Sequence, residues 1–201
     1  MASIPRFIAI EGIDGAGTST QCAKVADALR AAGHAVHTTR EPSDNPIGLV
    51  IRHALTSAGR FDEKAMALLF AADRLDHMSR EIEPAIQEGA IVLTDRYVMS
   101  SLAYQAELLG EPENGGWIAT INRYARHADL TCFVDVDAGT ALERRTQRGG
   151  PAERYDDHPL QERLVRRYRA LQALVPKCVR IDGSAALDKV TQAILSHILR
   201  N

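Results

Sequence analysis

A glycine-rich run near the beginning of the chain constrains the fold more than any other feature. Residues 12–19 read Gly-Ile-Asp-Gly-Ala-Gly-Thr-Ser, between an apolar strand predicted at residues 7–11 and a helix predicted at residues 19–32. This context suits a phosphate loop of the form G-x-x-x-x-G-K-[ST], whose backbone N–H groups converge on an anion at a helix N-terminus. The run predicts a nucleotide-phosphate site formed by Gly12, Ile13, Asp14, Gly15, Ala16, Gly17, Thr18, Ser19 and Thr20.

One position departs from that pattern, because Thr18 stands where the lysine belongs. Ser19 keeps the hydroxyl group expected to contact Mg²⁺. A charge ~4 Å from a phosphate, at an effective dielectric constant of ~20, interacts by roughly 4 kcal/mol, which is about a thousandfold in rate. Two interpretations stay open. The loop has decayed into a plain strand-to-helix turn, or an arginine supplies the charge, with Arg148 and Arg154 as candidates.

The rest of the chain alternates short apolar runs with longer amphipathic ones. Strands are predicted at residues 7–11, 35–39, 90–94, 130–136 and 178–181, with helices between them. This alternation predicts an α/β fold, a five-stranded parallel sheet with helices on both faces. Ligands of such sheets bind beyond the carboxyl ends of the strands, where each candidate site residue falls. At 201 residues, the chain is expected to form a single domain, residues 1–201.

Two helices carry details that a structure can check. Asp62 is predicted to cap a long helix at residues 63–87, with a kink or boundary at Pro84. Another helix is predicted at residues 116–127. Patterning alone predicts a core aromatic side chain for Phe70 and a solvated charge for Arg74, four residues apart on one helix face.

Composition argues against several classes of function. The net charge of −2 offers no overall positive field for a nucleic acid or an anionic membrane. No apolar run approaches the ~18 residues that span a bilayer, and the first residues do not resemble a signal peptide. The cysteines, at positions 22, 132 and 178, are too scattered for a metal site or a disulfide framework. The expected location is the cytoplasm, with the cysteines as buried thiols.

Charged residues end the predicted second and third strands. Asp95 can hold Mg²⁺ or its waters, or can cap the next helix. Arg96 and Arg40 are predicted to bind phosphate, since both lie at the carboxyl ends of strands. Glu41 is predicted to pair with Arg40.

Several segments, in the right order and spacing, resemble bacterial thymidylate kinase. They are the run from Phe7 to Gly17, Thr39-Arg-Glu-Pro42, Asp95-Arg-Tyr97 and Ser100-Ser-Leu-Ala-Tyr-Gln105. The resemblance covers essentially the whole chain. It implies a P-loop NTPase fold of the nucleoside monophosphate kinase type, with a lid loop at about residues 147–157. It also implies transfer of the γ-phosphate of ATP to dTMP, Mg²⁺ as cofactor, and a homodimer.

The resemblance assigns roles around the acceptor nucleotide. Phe70 would stack on the thymine ring, and Arg74 would hydrogen-bond its edge. Tyr104 would pack against the deoxyribose and exclude a 2′-hydroxyl group, while Asp14 would hold the 3′-hydroxyl. The other residues implied at the acceptor are Arg40 and Arg96 at the phosphate, Glu41 beside them, and Gln105 with Ser100 or Ser101 near the base. Ser43-Asp44-Asn45 replaces a glycine pair of the family, which leaves the path of that loop open.

The resemblance also places catalytic arginines, Arg148 and Arg154, in the lid. Family members without arginine in the phosphate loop carry such residues there, and Gly15 fits that arrangement. A closing lid excludes water and completes the charge around the phosphate. The alternative is a solvated charged loop. A solvated helix face is expected for Arg163, Arg166, Arg167 and Arg169.

Two other functions stay open at this point. A deoxynucleoside kinase would need a carboxylate base near the phosphate loop, and Glu11 is placed for that role. A nucleotide-binding module with little turnover would follow from loss of the lysine. The kinase of dTMP is the preferred hypothesis, because Arg40 suggests an acceptor that already carries a phosphate.

Overall fold

The computed structural model describes residues 4–56, 61–149, 154–155 and 157–199. The strands are β1 (Phe7–Glu11), β2 (Val36–Arg40), β3 (Ile91–Asp95), β4 (Leu130–Asp135) and β5 (Cys178–Asp182). The α-helices of the described residues are α1 (Thr18–Ala31), α2 (Pro46–Thr56), α3 (Glu63–His77), α4 (Glu83–Gln87), α5 (Val98–Leu108), α6 (Gly116–Ile121), α7 (Ala138–Arg148), α8 (His158–Leu171) and α9 (Leu187–Leu199).

The five strands form one parallel sheet in the order β2-β3-β1-β4-β5. Central β1 pairs with β3, where Phe7 lies opposite Val92, and with β4, where Ile8 lies opposite Leu130. Every residue of β1 and β4 is buried. Such continuous burial belongs to strands covered on both faces. The predicted α/β fold with a five-stranded parallel sheet is therefore confirmed.

Alternate residues of β1 pack on opposite faces of the sheet. Ile8 belongs to a core that includes Val25 of α1. Phe7 packs instead against Tyr97, which follows β3, with 4.9 Å between the ring centroids in an edge-to-face arrangement. Successive side chains of a strand point to opposite faces, so each face of the sheet has its own core.

The predicted long helix at residues 63–87 is divided into three parts. Asp62 caps α3 by accepting a hydrogen bond from the backbone N–H of Lys64 at 2.9 Å, as predicted. A π-helical segment, Met78–Ile82, joins α3 to α4. Pro84 lies in the first turn of α4, where a helix tolerates the missing N–H donor. It marks a boundary, as the sequence indicated.

Two helices differ from the sequence prediction. The predicted helix at 116–127 is wrong in length, because α6 ends at Ile121. The side chain of the next residue, Asn122, donates a hydrogen bond to the carbonyl oxygen of Ile118 and accepts one from Arg74. The sequence prediction missed α2, although Ile47 and Ile51 have helical spacing and Ile51 is buried.

The described residues were compared with what a membrane span, a metal cluster or a reactive thiol would require. They include no helix long and apolar enough to cross a membrane. They also include no group of three or more His, Cys, Asp or Glu side chains suited to a metal ion. Cys22 and Cys132 are buried, Cys178 is half-buried, and all three are free thiols. Burial raises the pKa of Cys132 to about 12, which makes this thiol unreactive.

Candidate active site

The phosphate loop runs from β1 into α1. Gly17 directly precedes Thr18, the first residue of α1, and has a φ of +93°, a conformation that favours glycine. At Gly15, with a φ of +90°, an added Cβ would lie 2.3 Å from the carbonyl oxygen of Ala141 in α7. The loop therefore packs directly on α7, and a side chain at position 15 would force the two apart.

Ser19 and Asp95 meet beside the phosphate loop. The Oγ atom of Ser19 donates a hydrogen bond to Oδ2 of Asp95. The other oxygen of Asp95, Oδ1, is buried and has no hydrogen-bond partner within the described ranges. Hydroxyl and carboxylate oxygens are the ligands that Mg²⁺ prefers. The two residues predicted to hold the metal thus lie together, and Oδ1 of Asp95 is available to bind a cation.

Arg96 joins the end of β3 to the phosphate loop. Its backbone has a φ of +71°. Its guanidinium group donates to the carbonyl oxygen of Gly12 at 2.8 Å and to Oδ1 of Asp14 at 2.5 Å. Oδ2 of Asp14 accepts from the hydroxyl group of Tyr104 at 2.8 Å. Burial, together with the Asp14 carboxylate, raises the pKa of Tyr104, so this phenol stays a neutral donor.

A cavity next to Arg96, which we call the Arg74 cavity, collects the predicted acceptor residues. Leu55 and Tyr155, which the sequence did not single out, also line it. Of the ten residues predicted for the acceptor, Arg40 alone is not part of the lining. The predicted residues in the lining are Asp14, Glu41, Phe70, Arg74, Arg96, Ser100, Ser101, Tyr104 and Gln105.

Arg74 is buried in the wall of this cavity, with only 1% of its surface exposed. Its guanidinium group donates to Oε2 of Glu41 at 2.8 Å and to Oγ of Ser101 at 3.2 Å. It also donates to the backbone carbonyl of Tyr97 at 3.2 Å and to Oδ1 of Asn122. These bonds hold the planar guanidinium group in a fixed position in the cavity wall. The solvated charge that patterning alone predicted at this position is wrong.

Glu41 pairs with Arg74 and not with Arg40, so that prediction is wrong. Oε1 of Glu41 also lies 3.4 Å from Nδ1 of His77, which is fully buried. Burial opposes protonation of His77, but Glu41, with Glu81 and Asp73, outweighs it and raises the pKa of this histidine. The chain bends toward α3 after β2, so Glu41 meets the buried helix face.

Arg40 does not line the Arg74 cavity. More than half of its side chain is exposed, and it forms an ion pair with Asp44 at 3.0 Å. The following loop is anchored to α3, because Asp73 accepts hydrogen bonds from the backbone N–H of Ser43 at 2.8 Å and from its hydroxyl group at 2.5 Å. This answers the open question about the loop path. The proposed role of Arg40 at the acceptor phosphate stays a prediction.

A second cavity, which we call the phosphate-loop cavity, adjoins the first. Asp14 and Arg96 line both cavities. The loop contributes Gly15, Gly17, Thr18, Ser19 and Thr20. Within the described ranges, the rest of the lining is made by three arginines of one helix, Arg144, Arg145 and Arg148.

The two arginines of the predicted lid lie in different surroundings. Arg148 is the last residue of α7 and reaches the phosphate-loop cavity. Arg154 donates to Oε1 of Glu63 at 2.6 Å and to the carbonyl oxygen of Phe61 at 2.9 Å. It is not among the described residues that line that cavity. Residues 150–153 and 156 of the predicted lid lie outside the described residues.

Arg144 and Arg145 are not among the residues predicted from the sequence, yet both line the phosphate-loop cavity. Arg145 donates to the carbonyl oxygen of Asp14 at 2.5 Å, and Arg144 donates to that of Gly183 at 2.9 Å. A signal was available, because Arg145 lies three residues before Arg148 and so shares its helix face. That signal could not be used without knowing that α7 packs against the phosphate loop.

Glu11 lies beneath the site and is completely buried. Its carboxylate accepts hydrogen bonds from the backbone N–H groups of Tyr97 and Ser100, at 2.8 and 3.1 Å, and from Oγ of Ser100 at 2.6 Å. Burial raises the pKa of Glu11 to about 7, although the hydrogen bonds of Ser100 and the charge of Arg96 oppose this. An enclosed carboxylate cannot reach the hydroxyl group of a bound acceptor. This argues against Glu11 as the base of a deoxynucleoside kinase.

The arginines of α8 do not all form a solvated face, so that prediction is wrong for Arg167. Its side chain is 9% exposed and donates to the backbone carbonyls of Leu102 and Glu111, both at 2.9 Å. Arg169 pairs with the buried Asp135 at 3.1 Å. These arginines brace α8 against its neighbours and do not reach either cavity.

Comparison with known proteins gives a family. The family model of thymidylate kinase matches residues 10–194. A probable thymidylate kinase of Caldivirga maquilingensis is 40% identical, over 96% of this chain and 92% of its own length. The thymidylate kinases of Caulobacter vibrioides and Ruegeria pomeroyi are 40% and 36% identical, over 96% and 100% of this chain and 96% and 99% of their own lengths. The chain therefore belongs to the thymidylate kinase family.

Proposed function

We propose that this protein transfers the γ-phosphate of ATP to dTMP in the presence of Mg²⁺. One observation carries the proposal: the Arg74 cavity and the phosphate-loop cavity meet at Asp14 and Arg96. One cavity suits the acceptor nucleotide and the other suits the phosphates of the donor. A phosphoryl group needs its two oxygen partners roughly in line, and two adjoining cavities provide that arrangement.

The acceptor cavity supports a nucleoside monophosphate as substrate. Phe70 offers a ring for the base, and Arg74 offers a guanidinium group in a fixed position. Arg96 is proposed to hold the acceptor phosphate, close to the phosphate loop. A phosphate is already an anion at neutral pH, so no strong general base is required. Catalysis then consists of positioning and charge stabilisation.

A third cavity supports a place for the base of ATP. It shares Gly17 and Arg144 with the phosphate-loop cavity and is also lined by Gln21, Gly183 and Leu187, among others. The guanidinium group of Arg144 links it to the phosphate-loop cavity. A nucleotide with its base here and its phosphates in the loop would direct the γ-phosphate toward Arg96.

Mg²⁺ is proposed to bind at Ser19 and Asp95. The fit rests on the buried Oδ1 atom of Asp95, which lacks a hydrogen-bond partner within the described part of the chain. When bound, the ion neutralises charge on the phosphate oxygens. Ser19 and Asp95 would orient it, with phosphate oxygens and waters as the remaining ligands.

Three further points belong to this proposal. We expect the chain to act as one domain, residues 1–201. We also expect a homodimer, because apolar side chains of α2 and α3 are exposed. These side chains are Leu49, Val50, Leu68 and Leu75, each 39–55% exposed. Sedimentation at micromolar concentration tests the dimer. Glycine at position 15 supports the bacterial arrangement, in which arginines outside the phosphate loop stabilise the transferred phosphate.

A coupled ADP-release assay tests the proposed function. The protein is supplied with ATP and Mg²⁺ and offered dTMP, dUMP, CMP, UMP and thymidine in parallel. The expected result is fastest turnover with dTMP. Preference for thymidine would favour a deoxynucleoside kinase. No turnover with any acceptor, despite measurable nucleotide binding, would favour a binding module and contradict the proposal.

A further inference from the structure

The phosphate loop lacks its lysine, but its cavity is rich in positive charge. Thr18 is buried and neutral. Four guanidinium groups of the described residues nevertheless line the phosphate-loop cavity, those of Arg96, Arg144, Arg145 and Arg148. Phosphoryl transfer depends on where positive charge lies more than on which residue supplies it. The question is which of these groups stands in for the lysine.

Three of the four arginines are poorly suited to that role. Arg96 is paired with the carboxylate of Asp14 and faces the acceptor side. Arg144 donates to the carbonyl oxygen of Gly183 at 2.9 Å, which turns it toward the third cavity. Arg148 is exposed at the end of α7, where water and salt screen its charge.

Arg96 and Arg144 also donate to carbonyl oxygens of the phosphate loop, but both are half-buried. Arg145 is the one of the four that is buried and also bonded to this loop. Its residue surface is only 8% exposed, and Nη1 donates to the carbonyl oxygen of Asp14 at 2.5 Å. A charge in such a position acts through a lower effective dielectric constant than an exposed one. A guanidinium group carries five N–H donors in a planar fork, so it can bind a carbonyl oxygen and a phosphate oxygen together.

The packing of α7 fixes this position. Ala141 lies one helical turn before Arg145, and its carbonyl oxygen is close enough to Gly15 to exclude a Cβ atom there. Glycine at position 15 is therefore what allows α7 to approach the loop. The approach brings the side chain of Arg145 to the residues that would cradle the phosphates.

We propose that Arg145 replaces the phosphate-loop lysine and contacts the β- and γ-phosphates of ATP. As the bond from the γ-phosphorus to the β-phosphate oxygen breaks and the bond to the acceptor oxygen forms, negative charge moves onto the β-phosphate. The guanidinium group stabilises that charge without gaining or losing a proton. The inference rests on the proposed function, because it takes ATP as the ligand of this cavity.

A rescue experiment with two substitutions tests the inference. Arg145→Gln is expected to lower kcat by up to about a thousandfold, which is the rate effect of one charge ~4 Å from a phosphate. When Thr18→Lys is added to Arg145→Gln, kcat is expected to rise at least about tenfold above that of Arg145→Gln, since lysine returns the charge to the loop. Thr18→Lys alone is measured in parallel as the reference for the double variant. Arg163→Gln, an exposed arginine paired with Glu107, is the control.

Two outcomes would overturn the inference. One is a wild-type rate for Arg145→Gln. The other is a double variant as slow as Arg145→Gln, while Thr18→Lys alone remains active. In that case Arg145 would act only by holding the Asp14 carbonyl group, a structural role that a lysine at position 18 cannot supply.

Binding of inorganic tripolyphosphate separates this inference from the proposed function. Calorimetry should give at least about tenfold weaker binding for Arg145→Gln, recovery in the double variant, and a smaller loss for Arg145→Lys, which keeps the charge but not the planar fork. Arg145→Lys serves as the rescue if Thr18→Lys melts early. If these affinities are found but the protein does not turn over dTMP, the proposed function is contradicted and the role of Arg145 is still supported. Equal affinities for all variants would overturn the inference in any case.

Discussion

The hydroxyl group of Tyr104 makes two hydrogen bonds with Asp14. It donates to the carboxylate oxygen Oδ2 at 2.8 Å and accepts from the backbone N–H of Asp14 at 3.1 Å. The same Oδ2 atom accepts from Nε2 of Gln161 at 3.3 Å, and Oδ1 accepts from Arg96. One phenol group thus orients a carboxylate that borders both cavities.

Tyr104→Phe should therefore weaken catalysis. It removes a hydrogen bond to a charged group, worth roughly 1.5–3 kcal/mol, and loosens the carboxylate between the two cavities. We expect kcat/KM for dTMP to fall about ten- to hundredfold at saturating ATP. Tyr124→Phe, at a tyrosine that is 67% exposed, is the control. Equal kinetics for Tyr104→Phe and Tyr124→Phe would contradict this role.

Arg74→Met should destabilise the fold, because it leaves Glu41 as a buried carboxylate without its guanidinium partner. Breaking a buried ion pair typically costs about 3–5 kcal/mol. Adding Glu41→Gln should recover more than about 1 kcal/mol, since the second change removes the unpaired charge. Urea unfolding of the four proteins of this cycle measures the coupling. Strictly additive losses would mean that the pair contributes nothing beyond packing.

The sequence predicted the fold well because the signals are local and repeated. Continuous apolar runs mark buried strands, and the glycine pattern after β1 fixes where phosphates would bind. The shared edge of the sheet then followed from parallel strand order, so Asp95 and Arg96 could be placed near the loop. Each of these inferences needed only neighbouring residues and one general rule of sheet topology.

The failures concern partners far apart in the chain. Glu41 could be assigned to Arg40 or to Arg74, and only the packing of α3 against the loop after β2 decides between them. Arg145 looks like any charged helix residue until α7 is placed against Gly15. Arg167 likewise looks solvated until its carbonyl partners are known. Side-chain pairs separated by more than about 30 positions leave no periodic signal that a pattern could reveal.

Glu11 should make the stability of this protein depend on pH. Its folded pKa of about 7 exceeds the value of 4.5 of an ordinary glutamate, so the folded state binds more protons between these values. Stability is then lost as the pH rises through that window, by roughly 3 kcal/mol in total. Relative to Glu11→Gln, wild type should lose this amount between about pH 4.5 and pH 8 in denaturant unfolding. The effect of His77 occurs in both proteins and cancels. A constant difference would contradict the raised pKa.

Asp95→Asn should raise the requirement for Mg²⁺ while leaving the fold intact. An amide oxygen can still accept the hydrogen bond of Ser19, but the charge and the unpartnered Oδ1 atom that suit a cation are lost. We expect the Mg²⁺ concentration for half-maximal turnover to increase at least about tenfold, as for other losses around metal sites. Chelation of the metal should abolish turnover in both proteins. Asp188→Asn, at an exposed aspartate paired with Lys24, is the matched control. Binding of ADP without metal shows separately whether the phosphate loop of Asp95→Asn is intact. If it is intact, an unchanged Mg²⁺ dependence would mean that Asp95 does not bind the metal.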